Sequence, residues 1–541
     1  MAVKIAVLAD LHYRPGGIGP HNRNAAHPEE RGDMGHVLWL RAIYRLNRLI
    51  RPDVVCVLGD LLDDGAAPDA VDALRELRGL FDHLKAPWIA LPGNHDPSPE
   101  VFWSVFDRPA DWMDIGGVRF LPFDDSEEPG FYASRPAEHL ERMAYARAGW
   151  RGPIVSLQHV PLFPAGTSDS PFHYTNADMV IASMRRNGIE LALSAHYHAG
   201  IDPIRTDDGL CFAAAPALCR SPFEMLVVEL DPSRPAGEFI RIERHALAMD
   251  PRLGLTDRHV HTQLAYCAEN MDARLNLELA RDFGLAAIGF SEHADHLYMN
   301  RLGYFSFEGI SRGGDLVELA PDARQLPPSP TGHNFDFTRP QFKVLATEPA
   351  GIAPFLERRV EQYLAIAREA GCEPWQIGTE VSCDFNGRPM LAPHDRGHFS
   401  YVIGAVHQIS ELWRAPRDPK RVQDDFLATL ERFLKYEFQI LAHPFRIFHR
   451  AGIEIPDALQ QTTIRLIKEA GVAAEINFHT NEPTPEFVRL CIEAGIPLTF
   501  GGDAHNLYEI GDFALHLDLL RRAGYDGDPA DILLPWPDGG K

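Results

Sequence analysis

The sequence predicts an α/β protein built from two domains, and three observations lead to this prediction. The chain of 541 residues exceeds what a single hydrophobic core normally organises. Short apolar and β-branched runs alternate with amphipathic helical patterns in both halves, which is typical of α/β architecture. Polar side chains follow these apolar runs directly, and open α/β sheets bind their ligands beyond the carboxyl ends of the strands.

The composition is that of a globular protein in a reducing compartment. Hydrophobic residues make up 45% of the chain, and no apolar run approaches the ~20 residues that a membrane helix requires. The N-terminal run MAVKIAVLAD lacks a small-residue cleavage site, so we interpret it as a first strand and not as an export signal. Seven cysteines form no CxxC pair, which argues against a disulfide framework. We therefore expect a cytoplasmic protein without a membrane partner.

The formal net charge of -24 argues against long nucleic acids as partners. Nucleic-acid binding draws much of its free energy from Lys and Arg side chains that neutralise phosphates, whereas an acidic surface repels an extended polyanion. A small phosphorylated substrate stays compatible with this charge, because bound metal cations can supply local positive charge.

Residues 1–250 are predicted to form the first domain. Its apolar runs are VKIAVLA, VVCVL, WIAL, PIVSL and LALS, and VLWLRAIYRLNRLI is a predicted amphipathic helix. After the β-like segment MLVVEL and a charged stretch, the pattern restarts at about Pro251. We therefore place the domain boundary there.

Residues 251–541 are predicted to form the second domain. The apolar runs AAIGF, VIGAV, QILA, AAEINF and IPLTF are separated by helical stretches. The Pro- and Gly-rich segment ARQLPPSPTGHNFDFTRP interrupts this order. We interpret it as a long excursion from the alternating strands and helices, and one alternative places it over the active site. The halves share no internal repeat and are therefore expected to be different domains.

Polar clusters follow the strands of the first half. Asp10 and His12 are two residues apart, so their side chains project from the same face of the first strand. The other clusters are Gly59-Asp60, Gly93-Asn94-His95-Asp96, His159 and His196-Tyr197-His198. Carboxylates, imidazoles and one amide oxygen together suit divalent Mn, Fe or Zn.

The order DxH, GD, GNHD, H and HxH resembles the calcineurin-like metallophosphoesterase superfamily over roughly residues 1 to 250. The resemblance implies an α/β sandwich that binds two metals, with Asp60 as the bridge. One metal is then held by Asp10, His12, Asp60 and His198, and the other by Asp60, Asn94, His159 and His196. The resemblance also implies that His95 stabilises or protonates the leaving oxygen and that Asp96 orients its ring. Ala195 replaces the usual glycine before the final HxH.

A second set of candidate ligands follows the strands of the second half, as expected for residues that line one end of a barrel. The set comprises His259, His261, Glu292, His293, Glu380, His407, His443, His479, Asp503 and His505. It resembles the PHP (polymerase and histidinol phosphatase) superfamily, with the histidinol-phosphatase-like members closest. The resemblance implies a distorted (β/α)7 barrel over roughly residues 255 to 515. One ion is then held by His259, His261, Glu380 and Asp503, and a second by Glu380, His407 and His443.

A third ion would be held by His293, His505 and a histidine six residues after the HxH motif, and this position is Cys267 here. Three alternatives follow: Cys267 binds as a thiolate, nearby Glu269 binds, or no third metal is present. A thiolate would favour zinc. Arg446 is either a bidentate phosphate contact or a solvated arginine at a helix start.

These resemblances predict a bifunctional metal-dependent phosphoesterase that hydrolyses small-molecule phosphodiesters, phosphomonoesters or both at two separate centres, with two metals in the first and two or three in the second. The alternative is a metal-dependent nuclease acting on short oligonucleotides or nucleic-acid ends. A groove for a single strand needs a basic stripe with stacking aromatic side chains, and the sequence contains no such cluster. A third alternative is a scaffold in which one domain has lost its metals.

Overall fold

The computed structural model describes residues 2–125, 127–231, 233–235, 238–298, 357–384, 386–413 and 416–536. The chain divides into two compact units, Met1–Ala248 and Met249–Lys541. The excursion expected at residues 323–340 lies outside the described residues. In the described part of the chain, no helix is long and apolar enough to cross a membrane.

Unit 1 contains two large sheets and a small hairpin. The first sheet has the order β13 (Ile240–Ala246), β12 (Glu224–Leu230), β1 (Val3–Leu8), β2 (Val54–Leu58) and β3 (Trp88–Leu91). The second has the order β10 (Ile201–Arg205), β11 (Cys211–Ala214), β9 (Leu191–Ser194), β8 (Ile154–Leu157), β5 (Val118–Pro122) and β4 (Met113–Ile115). The hairpin pairs β6 (Glu127–Glu128) with β7 (Tyr132–Ala133). Strands β1, β2 and β3 are parallel, as are β5, β8, β9 and β11.

The helices of unit 1 are α1 (Gly35–Arg45), α2 (Ala70–Leu80), α3 (Pro99–Val105), α4 (Ala137–Arg147) and α5 (Ala177–Asn187). The helix predicted over VLWLRAIYRLNRLI is α1 followed by one π-helical turn at Leu46–Ile50.

The core of unit 1 lies between its two sheets. Val3, Ile5 and Val7 alternate along β1 and share one buried cluster with Val155 and Leu157 of β8, because alternate residues of a strand point to the same face. A second cluster joins the outer face of the second sheet to α4 and α5. The α/β sandwich predicted for the first half is therefore confirmed.

Unit 2 is organised around a parallel sheet of seven strands that follow one another in sequence order. They are β14 (Thr256–Val260), β15 (Ala287–His293), β16 (Ile377–Ser382), β17 (Tyr401–Ala405), β18 (Ile440–Leu441), β19 (Ala473–Asn477) and β20 (Leu498–Gly501). The described helices around it are α6 (Ala273–Asp282), α7 (Ala294–Tyr298), α8 (Val360–Glu369), α9 (Pro419–Phe433), α10 (Arg446–Ala451), α11 (Asp457–Ala470), α12 (Pro485–Ala494) and α13 (Ala514–Arg522).

The sheet of unit 2 is nearly closed on itself. Val260 at the end of β14 forms a parallel bridge with Ala504, just beyond β20, and the His261 N–H lies 3.3 Å from the Ala504 carbonyl oxygen, to which it donates. This arrangement is compatible with the predicted seven-stranded barrel. It also gathers the carboxyl ends of the parallel strands, where the candidate ligands stand, around one opening.

Candidate metal centres

The candidate ligands of unit 1 occupy strained backbone positions at strand ends. Asp10, His12, Asp60 and His196 have φ angles of 53°, 47°, 52° and 65°. Such left-handed conformations cost non-glycine residues roughly 1–3 kcal/mol each and cluster at functional sites. The Asp10 N–H donates to the Gly59 carbonyl and the His12 N–H to the Asp60 carbonyl, both at 3.0 Å. These bonds fix the end of β1 against the end of β2.

Gly93 permits the close approach of two of these strand ends. A Cβ atom at this position would lie 2.5 Å from the backbone nitrogen of Asp60, which is closer than non-bonded atoms approach. The glycine of the GNHD motif therefore allows the loop after β3 to pack directly on Asp60. Gly59, which directly precedes Asp60, has a φ of 92°, a conformation that favours glycine.

Asp60 lies at the centre of the unit 1 cluster and is almost fully buried. Its Oδ2 is 3.3 Å from Nε2 of His159 and 3.7 Å from Nε2 of His12. Its Oδ1 accepts a hydrogen bond from the His95 N–H at 2.8 Å. One carboxylate therefore faces both halves of the predicted ligand set.

The tautomer of His159 directs a lone pair into the cluster. Nδ1 donates to the Leu58 carbonyl oxygen at 2.6 Å, so in the neutral ring Nε2 is unprotonated. That nitrogen lies 3.0 Å from Oδ1 of Asn94 and 3.1 Å from Nδ1 of His196, beside the Asp60 carboxylate. Electron pairs that face one another at these distances repel, and a shared proton or a metal cation between them removes this repulsion.

His198 and His12 repeat this arrangement. Nδ1 of His198 donates to Oε1 of Glu30 at 2.9 Å, which leaves its Nε2 lone pair 3.1 Å from Nε2 of His12. Glu30 is fixed in turn by a hydrogen bond of 2.9 Å from Arg220. Asp10, His12 and His198 place one ligand atom each within 4.8 Å of one another, as do Asp60, His159 and His196.

The buried carboxylates of unit 1 favour positive charge on the groups beside them. Burial opposes protonation of His159 and His12, yet Asp60 and the other carboxylates around these rings raise the pKa of His159 to about 10 and that of His12 to about 9. Among the described residues, Asp10 Oδ1 and His196 Nε2 are buried without a hydrogen-bond partner. Divalent cations would satisfy these atoms and replace the protons. The residues present therefore fit the metals that the sequence predicts.

His95 and Asp96 follow Asn94 but have different surroundings. The His95 ring is exposed and stands edge-on to the His12 ring at 4.7 Å, with Nδ1 2.8 Å from the Asp63 carbonyl oxygen. The Asp96 carboxylate instead accepts the backbone N–H groups of Leu62 and Gly93. Asp96 was expected to orient the His95 ring, but in the structure the Asp63 carbonyl contacts that ring and Asp96 fixes the surrounding loops.

Glu380 is the corresponding centre of unit 2. Its Oε1 lies 3.0 Å from Nε2 of His443 and 3.2 Å from Nε2 of His407. Its Oε2 lies 3.5 Å from Nε2 of His259 and 2.6 Å from Nδ1 of His293. Burial alone would raise the pKa of Glu380, but the surrounding histidines hold it well below its usual range.

Asp503 and His261 complete this side of the unit 2 cluster. Oδ1 of Asp503 is 3.0 Å from Nε2 of His261 and 3.4 Å from Nε2 of His259. Asp503 and His443 have φ angles of 48° and 28°, so the backbone strain seen in unit 1 recurs here. In the described chain, His259 Nε2 and Glu380 Oε2 are buried without a hydrogen-bond partner, since His293 approaches Oε2 outside hydrogen-bonding geometry. This donor set also fits divalent cations.

Arg446 does not take the position expected of a phosphate contact. It is buried, and its Nη2 donates to Oδ2 of Asp503 and, at 3.2 Å, to Oδ1 of Asn477. Neither alternative from the sequence, a phosphate contact or a solvated side chain, describes this placement. The guanidinium fixes Asp503 and leaves its Oδ1 facing the histidines.

The alternatives for a third ion are placed differently by the structure. Cys267, His293 and His296 bring one ligand atom each within 4.8 Å of one another, as do His261, His293 and His505. The Glu269 carboxylate accepts a hydrogen bond of 2.8 Å from Asn506. Burial raises the pKa of the Cys267 thiol well above its usual range, so a thiolate here would need a metal to displace the proton.

Among the described residues that contribute to the two clusters, the predicted site did not include Glu30, Glu475 or His296. Glu475 is nearly fully buried in β19, where Oε1 lies 2.6 Å from Nδ1 of His259 and Oε2 accepts the His443 N–H at 3.0 Å. A lone Glu in the apolar run AAEINF was an available signal, because a buried carboxylate needs partners. His296 follows His293 by three residues, the spacing of neighbours on a helix. Glu30 lies in a charged loop, PEERGD, with nothing to distinguish it.

A match to one protein family agrees with the geometry of unit 1. Residues 3–200 match the calcineurin-like phosphoesterase family. The curated proteins give no match. Among solved structures, a dimetal phosphatase from Danio rerio is 15% identical over 46% of this chain and 96% of its own, with a TM-score of 0.39.

Two further solved structures match over a similar share of the chain. Purple acid phosphatase PPD1 from yellow lupin (Lupinus luteus) seeds is 12% identical over 46% of this chain and 52% of its own, with a TM-score of 0.33. An archaeal phosphodiesterase is 14% identical over 45% of this chain and 100% of its own, with a TM-score of 0.23. At these identities the family match carries the assignment: unit 1 contains a calcineurin-like phosphoesterase domain at residues 3–200, and the chain is a metal-dependent hydrolase of phosphoric esters.

Proposed function

We propose that the protein is a bifunctional phosphoesterase with one metal centre in each unit, acting on small phosphodiesters, phosphomonoesters or both. The observation that carries the proposal is the recurrence of one donor arrangement in two unrelated folds. Asp60 in unit 1 and Glu380 in unit 2 are each buried among imidazole nitrogens whose lone pairs face the carboxylate.

The residues of unit 1 divide into holding and reacting groups. Asp10, His12, Asn94, His159, His196 and His198 would hold two divalent ions of Mn, Fe or Zn around Asp60. Such ions act as Lewis acids toward phosphoryl oxygens and lower the pKa of water. Nδ1 of His95 donates to the Asp63 carbonyl oxygen, which holds the ring in place, so the imidazolium form of the ring carries a second proton on Nε2 that it can give to, or share in a hydrogen bond with, a leaving oxygen.

The residues of unit 2 support a centre of the histidinol-phosphatase-like PHP type. His259, His261 and Asp503 would hold one ion with Glu380, and His407 and His443 a second. Glu475 orients His259, and Ser382 Oγ lies 2.8 Å from Nδ1 of His407, as expected for hydrogen bonds that direct metal-binding nitrogens. For a third ion the placement favours Cys267 with His293 and His296 over Glu269, and a thiolate would select zinc.

A screen of metal-loaded protein against a panel of mono- and diesters, cyclic phosphates included, tests this proposal. His95→Ala should abolish hydrolysis of one ester class, and His259→Ala that of another. Loss of the same activity in both variants, or no hydrolysis at all by the wild-type protein, would contradict a bifunctional enzyme. Release of nucleotides from a short single-stranded oligomer would instead favour the nuclease.

A further inference from the structure

Two aromatic side chains from separate segments of unit 1 lie beside the candidate metal centre. The Phe172 ring stands edge-on to the His196 ring at 4.5 Å. The Phe131 ring lies 6.2 Å from that of Phe172 and 6.4 Å from that of His196. His196 belongs to the Asp60 cluster, so both phenyl rings border the place where a phosphate ester would react.

Phe131 is unusual in both exposure and backbone conformation. The residue is 52% exposed, whereas a phenylalanine is normally buried for the most part. Its φ is 64° and that of the preceding Gly130 is 94°. Left-handed backbone is uncommon for a bulky residue and is retained where the surrounding structure enforces it, often at ligand-binding positions. The strained backbone and the exposed ring of Phe131 therefore both cost free energy of folding.

The two segments that carry the rings are fastened to each other. Ala133 of β7 forms a parallel bridge with Tyr174, and the Thr175 N–H donates to the Ala133 carbonyl oxygen at 2.8 Å. The Thr175 hydroxyl also donates to Glu128 of β6 at 3.1 Å. The relative positions of Phe131 and Phe172 are thus set before any ligand arrives.

We propose that Phe131 and Phe172 form a subsite for a planar aromatic group attached to the phosphate, such as an aryl group or a nucleobase. The inference rests on the proposed function of unit 1 and names the substrate class of that site. Aromatic rings attract one another in edge-on and offset-stacked arrangements, and stacking on an exposed side chain tolerates any planar group. An aliphatic ester would leave Phe131 exposed to water.

Binding of phosphonates, which are not hydrolysed, tests the subsite independently of catalysis. The Glu380→Gln variant, metal-loaded, confines binding to unit 1, and calorimetry compares phenylphosphonate with methylphosphonate. We expect phenylphosphonate to bind about tenfold more tightly. Phe131→Gly should remove that preference without unfolding the protein, because glycine adopts the left-handed conformation freely, and Phe131→Tyr should retain it.

Tyr145→Ala is the matched control, since Tyr145 is an exposed aromatic residue of α4. Equal affinity for both phosphonates in the Glu380→Gln variant with Phe131 intact, or a preference that survives the added Phe131→Gly substitution, would overturn the proposal. Hydrolysis of bis(p-nitrophenyl) phosphate and of a cyclic nucleotide, each against glycerophosphocholine, then separates aryl from nucleobase substrates. If no ester is hydrolysed but the binding preference holds, the proposed function fails and the subsite stands.

Discussion

Nδ1 of His259 lies 2.6 Å from Oε1 of Glu475, and both side chains are excluded from solvent. The hydrogen bond fixes the ring so that Nε2 points toward Glu380 and Asp503. Carboxylates that orient metal-binding imidazoles in this way typically contribute 10- to 100-fold to metal affinity.

Glu475→Gln should therefore weaken metal binding in unit 2 by about 10- to 100-fold while unit 1 keeps its ions. The amide retains the shape of the side chain but loses the charge that favours the required tautomer. Titration calorimetry with Zn²⁺ or Mn²⁺ measures the effect. Glu30→Gln is the matched variant, because Oε1 of Glu30 lies 2.9 Å from Nδ1 of His198 and orients that ring. It should weaken metal binding in unit 1 alone. Unchanged affinity in both variants would contradict the positioning role.

Arg446→Met tests whether the buried guanidinium serves structure or substrate. Removing one partner of a buried ion pair typically costs about 3–5 kcal/mol, so the metal-free variant should unfold more easily. Bound metal supplies Asp503 with another cation and should reduce the loss. Thermal unfolding with and without metal provides the measurement. A variant of normal stability that binds phosphate less tightly would instead restore Arg446 as a substrate contact.

A buried ion pair in unit 1 makes its stability depend on pH. Burial alone would raise the pKa of Asp125, but Arg135 at 2.8 Å, His139 and Tyr174 together hold it below the usual range. A carboxyl whose pKa is lower in the folded state stabilises the fold fully above its unfolded pKa of ~3.9. This contribution disappears as the pH falls through the lower folded value.

Asp125→Asn should accordingly destabilise unit 1 by about 3 kcal/mol at pH 7, and by progressively less below about pH 4. Denaturant unfolding monitored at pH 7, 5 and 3 supplies the comparison. If the difference in unfolding free energy between wild type and variant grew as the pH fell, the pKa of Asp125 would not be lowered in the folded protein.

Cys267 can be tested as a ligand with Co²⁺, whose absorption reports thiolate coordination. Cobalt-loaded wild-type protein should show a sulfur-to-metal charge-transfer band, because Cys267, His293 and His296 lie together. Cys267→Ser should abolish the band and lower the bound cobalt by one ion per chain. Glu269→Gln, whose carboxylate contacts Asn506, should leave it intact. No band in the wild-type protein would remove Cys267 from the site.

The sequence predicted the strand-end clusters well because local patterning determines them. Apolar runs such as VVCVL and AAEINF form β2 and β19. Because the neighbouring strands are parallel, the polar residues that follow them lie at the same edge of the sheet. The charged stretch before residue 251 also contains β13, Ile240–Ala246. It escaped prediction because Ile240 alone is buried among its residues, and the charged side chains of this edge strand stay in contact with water.

Contacts between distant segments could not be predicted in this way. Glu30 meets His198 across 168 positions of the chain, and Glu475 meets His259 across 216. The partners of Arg446 are likewise set by the packing of α10 near the ends of β19 and β20. Motif spacing shows which residues follow the end of a strand. It does not show which carboxylate or carbonyl oxygen accepts a hydrogen bond from the ring nitrogen of a histidine that faces away from the metal site.

Metal content by mass spectrometry of the wild-type protein and two variants tests the central claim most directly. The wild type, loaded with Mn²⁺ or Zn²⁺ and then desalted, should retain two ions in unit 1 and two or three in unit 2. Asp60→Asn should lose only the ions of unit 1, and Glu380→Gln only those of unit 2. A wild-type protein without stoichiometric metal, or a single variant that empties both units, would contradict two independent centres.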